Sequence, residues 1–216
     1  MIPVKRIAFL ASGRGSNFQA VIDAIAKREV PATCCGLITD NPGAYAIERA
    51  EKAGIPVLIV DYGAYPAKEA YEQALCEVME DLSADLYVLA GYMRILGSGI
   101  VKHFHGRLMN IHPALLPAFP GLHAQRQSLE YGVRVSGCTV HFVDEGMDSG
   151  PIIVQACVRV EEDDDEESLA ARILVREHQC LPEAIRLFCE DRLLMDGRRV
   201  RILPGNTTAI DADRFL

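Results

Sequence analysis

The apolar run Arg6–Ala11 (RIAFLA) opens directly into Ser12-Gly13-Arg14-Gly15-Ser16-Asn17, after which Phe18, Val21, Ile22 and Ile25 recur at helical spacing. Strand, glycine loop and amphipathic helix in that order form the opening of a nucleotide-binding α/β half. The alternation continues. Strands are expected at 33–39, 55–60 and 86–90, and helices at about 44–53, stopped by Gly54, and 66–82, with Pro66 tolerated in the first turn. Strands that alternate with helices predict an α/β fold with a doubly wound, mostly parallel, Rossmann-like sheet.

The second half is less regular. A fifth strand at 107–111 delivers Asn110 and His112, and a Pro/Gly-rich loop covers 113–122. A helix at about 124–131 leads to strands near 136–143 and 151–160, whose short connection predicts an antiparallel edge pair. The acidic run 161–167 precedes a long helix at about 168–188 and reads as a solvated helix start that complements the dipole, not as a metal site. Asp196-Gly197 between 192–195 and 199–202 predicts a small C-terminal hairpin. No repeat or linker divides the 216 residues, so a single domain with two lobes is expected.

The formal net charge of −8 and the lack of a basic stripe argue against nucleic acid as a partner. An anionic substrate must then be met locally, by helix N-termini or a few Lys and Arg side chains. The seven cysteines are odd in number and scattered, with no Cys-x-x-Cys pair. They read as reduced thiols of a cytoplasmic protein. No apolar segment is long enough to span a membrane, and none resembles a secretion signal.

The glycine loop lacks the Gly-Lys-Ser/Thr ending of a Walker loop and is not a full Gly-x-Gly-x-x-Gly dinucleotide motif. What it offers is close backbone approach to an anion, a helix N-terminus, and donors from Ser16 and Asn17. A single phosphate monoester is the expected occupant.

Two stretches carry the chemistry: Asn110-Ile-His-Pro-Ala-Leu-Leu-Pro117 and Val140-His-Phe-Val-Asp-Glu-Gly-Met-Asp-Ser-Gly150. Each is a strand-like run that opens into a Pro- or Gly-punctuated loop with polar side chains. An Asn amide is a neutral donor for a developing oxyanion. An imidazole can donate to the same oxygen, and a nearby carboxylate can hold its cationic form and relay protons. Asn110, His112 and Asp148 therefore suit attack on a carbonyl by an external nucleophile, without an activated Ser or Cys. Taken singly, Asn110 and His112 read as satisfying loop backbone and Asp148 as capping a turn; the set in this order is what points to chemistry.

With Leu89-Ala-Gly-Tyr-Met-Arg-Ile-Leu96, Pro113 to His123, and Glu177-His178 before Pro182, these stretches give the chain a close likeness. It resembles the phosphoribosylglycinamide formyltransferases, a folate-dependent formyltransferase family. The resemblance implies transfer of the formyl group of 10-formyltetrahydrofolate to the amine of glycinamide ribonucleotide, in purine biosynthesis and without a metal. It implies that Asn110 and His112 act on the formyl oxygen and that Asp148 assists proton transfer. It implies a phosphate site at Gly15, Ser16 and Asn17, and ribonucleotide contact by Glu177. Met93, Arg94, Ile95 and Leu96 resemble the folate-ring segment, and Val143, Asp144 and Glu145 the loop closing over that ring. Lys68 stands where an Arg near the folate tail is expected; it keeps the charge but loses the fork. Gln125 and Leu181 also depart from frequent family choices, while Arg14 falls at a variable position. A phosphate-binding lobe at 1–100 and a folate and catalytic lobe at 101–216 follow from this reading, as does a monomer or homodimer.

Three rivals share features with it. Formyltetrahydrofolate hydrolase uses the same trio on water but usually carries an N-terminal regulatory domain, and here the first strand starts close to Met1. Methionyl-tRNA formyltransferase needs a basic C-terminal domain. A catalytically dead binding module gains little from a titratable His at the reacting carbon. A cis peptide at Leu116–Pro117 is also expected.

Overall fold

The protein is described from a computed structural model, which covers residues 4–205. The chain forms two compact units that meet in sequence at Met109/Asn110.

In the first unit, four apolar runs become parallel strands: β1 (Lys5–Leu10), β2 (Ala32–Thr39), β3 (Val57–Ile59) and β4 (Leu86–Leu89). Their order is β3-β2-β1-β4. Ile7 to Leu10 and Leu86 to Val88 are wholly buried, as strands covered on both faces must be. Helices α1 (Ser16–Ala26), α2 (Ala46–Lys52), α3 (Lys68–Leu82) and α4 (Ser98–His103) complete the unit. Phe18 on α1 packs edge-on against Phe9 of β1 with ring centroids 5.0 Å apart, a contact that adds about 1 kcal/mol to the area both rings bury.

The third and fourth helices depart most from expectation. α3 begins at Lys68 rather than Pro66, because the chain first makes a 3₁₀ turn at Tyr62–Ala64. The Asp61 carboxylate fixes that turn by accepting the Gly63 N–H at 2.9 Å, and Tyr65, before the proline, is extended. Helix α4 was not foreseen. It has six residues with only Ile100 and Val101 buried, too few for a helical period to register.

Strand β5 (Leu108–His112) carries the chain into the second unit. There α5 (Ala124–Tyr131) precedes β6 (Val135–Phe142) and β7 (Ile152–Arg159), which pair antiparallel. Helix α6 (Glu166–Cys189) opens on a capping box. The Asp165 carboxylate accepts the Ser168 N–H at 2.8 Å while the Ser168 hydroxyl accepts the Asp165 N–H at 3.0 Å. Such a cap is worth about 1 kcal/mol. Asp164 pairs with Arg172, whose guanidinium holds that carboxyl well below its usual range. The acidic run is thus a helix start. The strands β8 (Leu193–Asp196) and β9 (Arg199–Ile202) form the expected hairpin, and β9 adds to β7 in parallel at Ile152–Arg199. Leu116–Pro117 is the cis peptide anticipated. Among the described residues no helix is long and apolar enough to cross a membrane.

Candidate active site

In the first unit, the glycine loop is shaped by α2. Gly15 is left-handed at φ 66°, and a Cβ there would lie 2.7 Å from that of Ala46. Both facts require glycine. Ala46 donates its N–H to the Gly13 carbonyl at 3.0 Å, and Arg49 Nε donates to the Arg14 carbonyl at 2.8 Å. Ser16 and Asn17 then form the first residues of α1, whose opening N–H groups have no acceptor within the helix.

Ser12 ties this loop to the segment after β4. Its N–H donates to the Gly91 carbonyl at 3.1 Å, and its hydroxyl accepts the Met93 N–H at 2.8 Å. Met93 and Ile95 stand 63% and 66% exposed, two apolar side chains in the open beside one another along the segment. Between them Arg94 turns back: its Nε donates to Asp40 Oδ2 at 2.7 Å, and its guanidinium lies 4.0 Å above the Tyr62 ring. Lys68, at the start of α3, pairs with Glu72 at 3.3 Å.

In the second unit the expected trio converges, although 38 residues separate Asn110 from Asp148. Asp148 Oδ2 lies 3.4 Å from His112 Nδ1 and accepts the Gly121 N–H at 2.7 Å. Its Oδ1 accepts from the Asn110 amide at 3.4 Å. Asp148 itself sits at φ 48°, a left-handed backbone that Asp tolerates better than most and that recurs at functional positions. His112 Nε2 donates to the Phe119 carbonyl at 2.8 Å. Both ring nitrogens therefore face oxygen acceptors; doubly protonated the ring serves both, and neutral it serves one.

His141 is a fourth member that residue-by-residue reading did not single out. Its Nδ1–H donates to the Phe142 carbonyl at 2.8 Å, which leaves Nε2 as acceptor for the Asn110 amide at 3.3 Å. The same Nε2 is 3.8 Å from Asp148 Oδ1. Burial lowers the pKa of His141, and the opposing pull of the Phe142 carbonyl and of Asp148 is smaller. The ring is thus kept neutral, with one tautomer selected.

Val143, Asp144 and Glu145 follow β6 in the turn toward Asp148. Asp144 serves its own loop: Oδ1 accepts the Gly146 N–H at 3.1 Å and the Ser149 hydroxyl at 2.5 Å. Glu177 is buried on α6. Gly15, Ser16, Asn17, Lys68 and Met93 to Leu96 thus belong to the first unit, and the trio, Val143 to Glu145 and Glu177 to the second. Among the described residues no cluster of three or more His, Cys, Asp or Glu side chains has the geometry to hold a metal ion.

The formyl transferase family model matches residues 5–185. The chain belongs to that family. Among the formyltransferases, the phosphoribosylglycinamide formyltransferase of Escherichia coli (strain K12) is 41% identical over 201 residues, spanning 90% of this chain and 95% of its own length. The crystal structure of glycinamide ribonucleotide transformylase 1 from Symbiobacterium toebii superposes with a TM-score of 0.91 at 51% identity, covering 93% of this chain and 95% of that one. The trifunctional purine biosynthetic protein adenosine-3 of Drosophila pseudoobscura pseudoobscura is 47% identical over 193 residues, 88% of this chain, but the chain spans only 14% of that protein's length. The fold class and the resemblance to phosphoribosylglycinamide formyltransferases drawn from the motifs are borne out.

Proposed function

We propose that the protein transfers the formyl group of 10-formyltetrahydrofolate to the amine of glycinamide ribonucleotide in purine biosynthesis. The observation that carries this reading is the approach of the Asp148 carboxylate to both His112 and Asn110, each at 3.4 Å. The amine attacks the formyl carbon, its C–N bond forms, and the carbonyl oxygen takes up negative charge. The C–N bond to the folate then breaks, and the proton lost by the amine ends on the folate nitrogen.

Asn110 and His112 donate to the oxyanion. The two amide bonds of Asn110 are long, 3.3 and 3.4 Å, and are readily exchanged for a stronger one to a charged oxygen. His112 gives up a 2.8 Å bond to the Phe119 carbonyl to do the same. Asp148 carries the proton from the amine toward the leaving nitrogen and balances the imidazolium. Donors held close to where charge develops need only this exchange of partners, which keeps reorganisation small.

The ribonucleotide phosphate is assigned to the backbone N–H groups of Gly15, Ser16 and Asn17, and Glu177 to the rest of the ribonucleotide. The folate ring is assigned to the backbone of Met93, Arg94, Ile95 and Leu96 and to the loop at Val143, Asp144 and Glu145. The exposed Met93 and Ile95 side chains support that assignment, since paired apolar groups in the open favour a flat apolar ligand. Lys68 is assigned to the acidic folate tail.

The test follows tetrahydrofolate release from 10-formyltetrahydrofolate with and without glycinamide ribonucleotide. Release that requires the amine is the expected result. Release in its absence would make the protein a hydrolase, and folate binding with no turnover would make it a binding module.

A further inference from the structure

The Asp40 carboxylate is buried at the end of β2, its side chain 2% exposed, and Oδ1 has no hydrogen-bond partner among the described residues. A buried carboxylate with one satisfied oxygen is costly to keep, so its retention calls for an explanation. Its other oxygen holds Arg94 Nε at 2.7 Å. Tyr62 closes over the same guanidinium at 4.0 Å, and the Tyr62 N–H donates to the Asp40 carbonyl at 3.2 Å. Tyr71 packs edge-on against Tyr62 with centroids 5.0 Å apart, and its hydroxyl meets that of Tyr92. Tyr92 and Arg94 are thus anchored from beneath, while Met93 and Ile95 stand open and the Met93 N–H is held by Ser12.

We propose that Asp40 is a positioning residue for folate binding: by drawing the Arg94 side chain back against the body of the first unit, it fixes the backbone of residues 93–96 in the form that receives the ring. This rests on the assignment of that segment to folate. The gain is preorganisation. Irregular backbone that is already ordered pays less on binding, and a neutral partner cannot hold a guanidinium as a carboxylate does.

The test uses the full chain and steady-state kinetics with both substrates. Asp40→Asn keeps shape but loses the charge that holds Arg94. It should raise KM for 10-formyltetrahydrofolate about tenfold, with KM for glycinamide ribonucleotide and kcat changed by less than about threefold. Arg94→Lys, which leaves the buried carboxylate a cation but removes the Nε–H bond and the flat stack on Tyr62, should raise the same constant less. It also tests the proposal if Asp40→Asn does not fold. An unchanged folate KM, or a parallel rise for both substrates, would overturn the proposal, since mere loosening of the fold favours neither. Ile95→Asp separates the underlying assignment: if it leaves folate KM unaltered, the segment is not the folate site and both ideas fall. If Ile95→Asp raises that KM and Asp40→Asn does not, the positioning role alone fails.

Discussion

Asp148 Oδ2 faces His112 Nδ1 at 3.4 Å while accepting the Gly121 N–H at 2.7 Å. One carboxylate oxygen therefore both faces the imidazole and pins the loop that follows the cis proline. Asp148→Asn retains the shape and, through its amide oxygen, the bond to Gly121. It removes the charge beside the ring and the ability to carry a proton. We expect kcat to fall by about 100-fold or more, the scale of a lost acid–base group, with the melting temperature little changed. The check is a pH–rate profile of wild type and variant. Equal kcat and superimposable profiles would show that the pair takes no part in turnover.

Gly15 offers a sharper structural test. Alanine there meets both a left-handed φ of 66° and the Ala46 Cβ at 2.7 Å. The cost is about 1–3 kcal/mol, and it falls on the loop assigned to the phosphate. Gly15→Ala should lower stability by that amount in denaturant titration and raise KM for glycinamide ribonucleotide more than KM for folate. The neighbouring Gly13→Ala, where no atom lies within 4 Å of the new Cβ, should show neither clash nor comparable loss.

What could be read without coordinates, and what could not, divides along physical lines. Strand, glycine loop and helix are local, so β1, the Gly15 turn and α1 follow from periodicity alone. Asn110, His112 and Asp148 stood out as candidates because an amide, an imidazole and a carboxylate at loop edges have no role in an ordinary core strand, and the three side chains do come together. His141 was not, since β6 is buried along nearly its whole length and alternation cannot say which face a residue takes. Its role arises from lateral contact with Asn110, which a single chain pattern does not encode. Asp40 and Arg94 are 54 residues apart, and nothing in either neighbourhood signals the ion pair.

Thr139 shows how a buried hydroxyl can support the trio from outside it. Its Oγ1 donates to the Ala114 carbonyl at 2.7 Å and accepts from the Leu116 N–H at 3.0 Å and the Gln155 amide at 2.9 Å. All the bonding capacity of the hydroxyl is used, and two of the three partners lie in the loop that leaves His112. Thr139→Val keeps the shape and strands the buried Ala114 carbonyl and Leu116 N–H, while the Gln155 amide keeps its 3.0 Å bond to the Leu116 carbonyl. We expect a loss of about 2 kcal/mol or more in urea titration, with Thr139→Ser retaining most of the stability. Equal stability of the Val variant and wild type would mean that the network contributes nothing net.

His141 makes a prediction about pH. Burial depresses its folded pKa below the ordinary value of 6.5, so the native ring stays neutral where the unfolded ring is already charged. In that window the unfolded chain binds the extra proton, and stability falls as pH drops below about 6.5, levelling off once the folded pKa is passed. The facing groups Asp148 and Asp144 favour the charged ring and narrow the window, His112 opposes it and widens the window, and together they do not reverse its sign. His141→Asn keeps a donor near the position of Nδ1 for the Phe142 carbonyl but does not titrate. Unfolding free energies of both proteins should be measured from pH 7.5 to 5. Groups remote from His141 contribute equally to the two curves, so their difference reports this residue together with its coupling to Asp148, Asp144 and His112: the wild type should lose stability more steeply on acidification. Parallel curves would mean that His141 titrates alike folded and unfolded, and that its neutrality is not imposed by the fold.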